Sequence, residues 1–241
     1  MIDLSAIRRG KEPSPPRIML YGIEGVGKST FAAGFPDAIF IPTEDGLGQI
    51  DCASFPICQT FEDALDDLNA LINNQNDFKT IVIDSLSGLE RLIWAATCRD
   101  WGKVDNIEQV GKGFGKGYVA ALSYWEKILK ALDKLRAQKK CATVLIAHAK
   151  AEEYSDPETP AFKRFAPRLQ KLACGLINEW VDLSLFGTRE FGAARGDKGG
   201  ERVVISAESP RNAGKSRYAI PEVLPMKADA LMAAIKEAQK N

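Results

Sequence analysis

The sequence has one histidine, five cysteines and no surplus of either charge, and each scarcity removes a class of protein. The cysteines (Cys52, Cys58, Cys98, Cys141 and Cys174) are odd in number, and none falls in a CxxC or Cys/His spacing. That excludes a disulfide framework and a zinc cage and leaves reduced thiols, in the core or near the surface. Lysine plus arginine equals aspartate plus glutamate at 32 each, so no global field draws the chain to a polyanion. Such a contact has to come from a local patch or from assembly. No apolar run approaches the roughly 20 residues that cross a bilayer, and the opening MIDLSAIRRGKEPSPP lacks the apolar stretch of a secretory signal. A soluble, cytoplasmic protein with no membrane partner is expected. What remains is ordinary globular material: 241 residues, 45% hydrophobic and 27% charged, enough for one large α/β domain or at most two small ones.

Residues 1–16 are polar and end in Pro13, Pro15 and Pro16, which reads as a flexible lead-in. A core over 17–220 and a C-terminal helical tail over 221–241 follow. Short apolar runs at 17–21 (RIMLY), 38–42 (AIFIP), 80–84 (TIVID) and 142–147 (ATVLIA) read as buried strands. Helical spacing is present at 28–34, 61–72, 86–101 and 118–139, and the alternation predicts a mainly parallel sheet flanked by helices. The charged, proline-bearing stretch 152–168 is expected to protrude as a loop. Residues 181–189 and 202–207 flank the turn-rich FGAARGDKGGE and predict a C-terminal antiparallel hairpin, and a last helix is expected over 227–240.

One motif carries chemistry. Gly22-Ile23-Glu24-Gly25-Val26-Gly27-Lys28-Ser29 fits GxxxxGK[ST], and it stands between a predicted strand and a predicted helix, the context that makes this pattern specific. Glycines let backbone N–H groups converge on phosphate oxygens without a Cβ in the way, and the helix start adds partial positive charge. Lys28 is expected to reach the β- and γ-phosphates, Ser29 to ligate magnesium, and Thr30 to support the α-phosphate side. The expected ligands are ATP and Mg2+.

The strand 80–84 delivers Asp84 to its carboxyl end, where open α/β sheets bind ligands, so Asp84 is the expected magnesium partner of Ser29. Hydrolysis also needs a group that positions or deprotonates water. Glu44 follows the AIFIP strand in Thr43-Glu44-Asp45-Gly46 and is the leading candidate, with Asp45 and Glu24 as alternatives; an acidic turn built on Asp45-Gly46 is the plainer reading. His148 ends the ATVLIA strand, where it can hydrogen-bond the γ-phosphate or the attacking water.

Taken together, PPRIMLYGIEGVGKST, FIPTEDGL, TIVIDSLSGLERL and TVLIAHAK resemble the bacteriophage group of RecA-like P-loop ATPases, AAA-domain proteins associated with recombination and single-strand annealing. The resemblance covers residues 14–220. It implies a RecA-like P-loop NTPase fold, a water-activating role for Glu44, a γ-phosphate-sensing role for His148, and a host-cytoplasm setting. It also implies a homo-oligomer, ring or filament, in which Lys215 and Arg217 resemble a K-x-R finger reaching a neighbour's site. Single-stranded DNA is the implied partner, with a single-strand-binding protein as a further one. Lys163, Arg164, Phe165, Arg168 and Lys171 are the first candidate DNA contacts; Lys112, Phe114, Lys116 and Tyr118 are the second. A P-loop small-molecule kinase and a non-hydrolysing ATP-dependent adaptor remain as alternative functions.

Overall fold

The computed structural model describes residues 7, 10, 12–156, 159–190 and 200–240. Most of the lead-in 1–11, the tip of the 152–168 segment and residues 191–199 of the hairpin connection lie outside the described residues.

Four central strands are apolar on both faces, as parallel strands covered by helices must be. They are β1 (Arg17–Gly22), β2 (Ala38–Pro42), β4 (Thr80–Asp84) and the first half of β5 (Ala142–Asp156), with a two-residue β3 (Ala53–Ser54) between β2 and β4 in the chain. The helices are α1 (Lys28–Ala33), α2 (Phe61–Asn73), α3 (Leu86–Trp101) and α4 (Lys116–Lys139). Beyond β5 come β6 (Thr159–Pro167), α5 (Lys171–Trp180), β7 (Leu183–Arg189), β8 (Arg202–Ile205), β9 (Lys215–Ser216), β10 (Val223–Pro225) and α6 (Ala228–Lys240).

The main sheet runs β10-β8-β7-β1-β5-β4-β2-β3, with β6 on β5 and β9 on β7. Pairings from β7 across to β3 are parallel, and the C-terminal strands β8, β9 and β10 pair antiparallel. This is a mixed α/β fold of the P-loop NTPase kind. Successive strand residues face opposite layers: Met19, Ile81 and Leu145 pack under α2 to α5, whereas Ile18, Val82 and Val144 pack with Phe31 of α1 and Leu231 of α6. The sheet thus lies between two helical layers.

One expectation needs amendment. The stretch 152–168 is no loop: β5 runs on past the sheet and pairs antiparallel with β6 from Ala149↔Pro167 outward. Its polar strands are steadied by one contact outside the hairpin, Phe165 stacking on Phe186 of β7 at 5.2 Å, and by one within it, Arg164 lying 3.8 Å over the Tyr154 ring. The expected last helix is α6, and its Leu231 and Ile235 are buried beneath the sheet. At the other end, Pro15 O accepts from Arg136 Nε at 2.6 Å and Pro16 O from Thr143 N at 3.0 Å, so the chain is tied down before β1 begins.

Candidate nucleotide site

Strand register assembles the site. Gly22 at the end of β1 pairs with His148 of β5, and Asp84 at the end of β4 pairs with Ile146 of β5 on one side and Pro42 of β2 on the other. Four parallel strands therefore deliver their carboxyl ends to one edge. Glu44 lies two residues beyond Pro42, and Thr43 fixes it there. Thr43 N donates to Asp84 O at 2.8 Å, and its hydroxyl donates to Ser85 O at 2.7 Å while accepting from Ser85 N at 2.9 Å. This close approach of β2 to the start of α3 requires Gly88, where a Cβ would lie 2.2 Å from Thr43 Oγ1.

The loop from Gly22 to Thr30 has the conformational demands of a phosphate cradle. Gly25 and Gly27 take φ of +72° and +102°, a region L side chains rarely enter. A Cβ on Gly25 would meet nothing within 4 Å, so the loop opens to the outside, with Ile23 and Glu24 exposed and Val26 buried beneath it. Lys28 Nζ donates to Gly22 O at 3.1 Å and Ile23 O at 3.0 Å. Burial lowers the Lys28 pKa from the ordinary lysine value, a loss that the charges of Asp84, Glu24 and Glu44 oppose. Ser29 Oγ donates to Asp84 Oδ2 at 2.5 Å, and burial raises the Asp84 pKa even though that hydrogen bond favours the ionised form.

Glu44 Oε1 lies 2.7 Å from His148 Nε2, and Arg91 on α3 stands 3.6 Å from its other oxygen. The His148 hydrogen bond holds the Glu44 pKa down to about 2, against the cost of partial burial. Loop, carboxylates and histidine line one cleft of about 370 Å³, bordered also by Thr30, Asp45 and, unforeseen from the sequence, Arg202. A larger hollow of about 720 Å³ lies between α3 and residues 104–108, lined by Trp94, Cys98 and Tyr118, and contains none of the phosphate-loop groups.

The other expected residues lie elsewhere. Lys215 pairs with Ser184 in register, toward the amino end of the sheet, and its Nζ donates to the carbonyls of Asn178, Glu179 and Val181 at the end of α5. Arg217 binds Asp182 at 3.1 Å and Glu179 O at 2.7 Å. Both finger candidates are thus committed within the chain, completing a helix C-terminus and an ion-pair cluster. Of the first DNA set, Arg164 pairs with Glu208 at 2.6 Å, and Lys163 faces Glu153 across the hairpin. Phe165 is packed on Phe186, while Arg168, whose N–H donates to His148 O at 2.8 Å, stands at the foot of the hairpin near the nucleotide cleft. Lys171 is exposed at the start of α5.

The donor set fits magnesium only together with a nucleotide. Among the described residues no group of three His, Cys, Asp or Glu is placed to hold a metal alone. Ser29 and Asp84 would hold the ion, with phosphate oxygens completing a shell that magnesium prefers in oxygen. When bound, it would neutralise phosphate charge.

A glycine loop leading into a helix, a buried lysine at its end, and a serine–aspartate pair at the neighbouring strand define a P-loop nucleotide-binding protein. A family model described as AAA domain matches residues 14–218, and the chain belongs to that family, a P-loop ATPase-type group. The family implies nucleotide binding and ATPase-type activity. No curated protein matches the chain.

Proposed function

We propose that the protein is a magnesium-dependent ATPase acting on single-stranded DNA in phage recombination or replication, promoting annealing or strand pairing as a cytoplasmic homo-oligomer. One observation carries the ATPase part: Lys28, Ser29, Asp84 and Glu44 converge on one cleft at the carboxyl edge of the sheet. Backbone N–H groups and Lys28 bind and orient the triphosphate, and Ser29 with Asp84 would seat the metal. Glu44 stays ionised at neutral pH and orients the attacking water, with His148 holding its carboxylate in place. A group with a pKa of about 2 is a weak proton acceptor, so its contribution is positioning until the phosphoryl group begins to leave.

The DNA part rests on the resemblance of the motifs and on the loop before α4. Phe114 is 97% exposed at φ +57°, between the exposed Lys112 and Lys116. An aromatic face flanked by cations suits a single strand, whose bases stack and whose phosphates attract charge. The β5/β6 hairpin suits it less, since its cations already face Glu152, Glu153 and Glu208.

Phosphate release from Mg-ATP, with and without single-stranded DNA and across protein concentration, tests both parts. Lys28→Ala is expected to lose nucleotide binding and turnover. Phe114→Ala is expected to weaken DNA affinity by about 1–3 kcal/mol, roughly 5- to 150-fold, with basal turnover kept. Wild-type protein that releases no phosphate sinks the ATPase reading, and release indifferent to DNA removes the nucleic-acid part. Transfer of phosphate to a small-molecule acceptor favours a kinase.

A further inference from the structure

We propose that Arg202 is a phosphate-binding residue of the nucleotide site, supplied by the same chain as the P-loop; this rests on the nucleotide reading above. β7 runs parallel to β1 with Gly187 beside Gly22, then continues past that edge to Arg189, and β8 returns from Arg202 opposite Arg189. The overhang brings Arg202 alongside the phosphate loop. A Cβ built on Gly27 would lie 2.8 Å from Arg202 Nη1, and Arg202 lines the same cleft as Lys28. Its backbone is pinned, since its carbonyl accepts from Met226 N at 2.9 Å. Its head is free of carboxylates: among the described residues none pairs with it, whereas Arg17, Arg99, Arg164 and Arg217 are all spent on ion pairs.

Charge balance in the cleft asks for this cation. Glu24, Glu44, Asp45 and Asp84 face it, against Lys28 and Arg202. A polyphosphate brings further negative charge to a wall already rich in carboxylates, and one lysine, itself desolvated, is a thin counterweight. A guanidinium presents a planar fork of donors that matches phosphate oxygens in pairs. Arg202 therefore supplies in cis a second cation for the phosphates, and each chain carries its own.

The test is equilibrium binding of ATP, ADP and AMP with magnesium, together with phosphate release, for wild type, Lys28→Ala, Arg202→Ala and Arg202→Lys. Arg202→Ala is expected to weaken ATP about tenfold or more, with the loss shrinking from ATP to AMP, and Arg202→Lys to recover part of it. Melting without nucleotide is expected to match wild type, because the side chain is exposed. Mixing Arg202→Ala with Lys28→Ala protein is expected to restore no turnover, since neither chain then holds a complete site. If Arg202→Ala binds and turns over like wild type, or weakens ATP and AMP equally, the phosphate role is wrong; rescue in the mixture overturns the assignment in cis. Failure of the nucleotide reading itself looks different, with wild type and Lys28→Ala binding alike or not at all.

Discussion

Glu44 and His148 sit 2.7 Å apart, and that pairing sets what each can do. Glu44→Gln keeps the shape and the hydrogen-bonding reach but removes the charge. Turnover is expected to fall by about 10²- to 10⁴-fold while nucleotide affinity holds, read as kcat in steady-state assays against Kd by titration. Unchanged kcat would transfer the role to Asp45 or Glu24. Much of this site was legible along the chain, because the P-loop pattern fixes its own backbone chemistry and an apolar run ending in Asp or Glu places that carboxylate at a strand's end. The partners were not legible. Nothing near Glu44 in sequence announces His148 or Arg91, and Arg202 follows a glycine-rich stretch with no motif around it.

Among the elements, α3 shows how a helix start can be tuned to a neighbouring strand. In an isolated helix, replacing glycine by alanine stabilises by about 1 kcal/mol. At Gly88 the new Cβ would lie 2.2 Å from Thr43 Oγ1 and 2.9 Å from Thr43 O. Overpacking costs about 1–3 kcal/mol, and displacing the Thr43–Ser85 hydrogen bonds adds about 1 kcal/mol more, so the clash wins. Gly88→Ala is expected to lower stability by about 1–3 kcal/mol in urea denaturation and to reduce turnover, since Thr43 moves Glu44 with it. A stabilised, fully active variant would contradict this. The long helices and four central strands were legible because they are uniformly apolar or strongly periodic. The β5/β6 hairpin was not: its strands are polar, and what steadies them is Phe186 on β7 and a guanidinium over Tyr154. β3 and β9 are two residues long, so only the edge they pair with defines them.

Across the whole molecule the sheet has one edge for chemistry and one for fastening. At the amino edge Asp182 is buried, bound by Arg17 through side chain and backbone and by Arg217, with Arg136 at 3.6 Å. β1, α4 and the C-terminal segment meet there. Burial alone would raise the Asp182 pKa, but the hydrogen bonds from Arg17 and the charges of Arg17 and Arg136 outweigh it and bring it below the ordinary 3.8. The unfolded chain then binds this proton more readily than the folded one, so the contribution to stability is complete above pH 3.8 and drains as pH falls through the lower folded value. Asp182→Asn is expected to destabilise by about 2–4 kcal/mol near neutral pH, with the gap to wild type narrowing as pH falls below 3.8, followed by urea midpoints. A gap constant with pH would deny the carboxylate's charge any part. Among the described residues no helix is long and apolar enough to cross a membrane. By itself the sequence determined the strand and helix alternation and the phosphate loop, because those follow from local periodicity and from glycine's freedom at fixed spacing. Only the tertiary structure decided that Lys215 and Arg217 fasten α5 and Asp182, that Glu44 meets His148, and that Arg202 stands over Gly27. Those are contacts between segments remote in the chain, and strand register, which no local pattern encodes, sets which of them form.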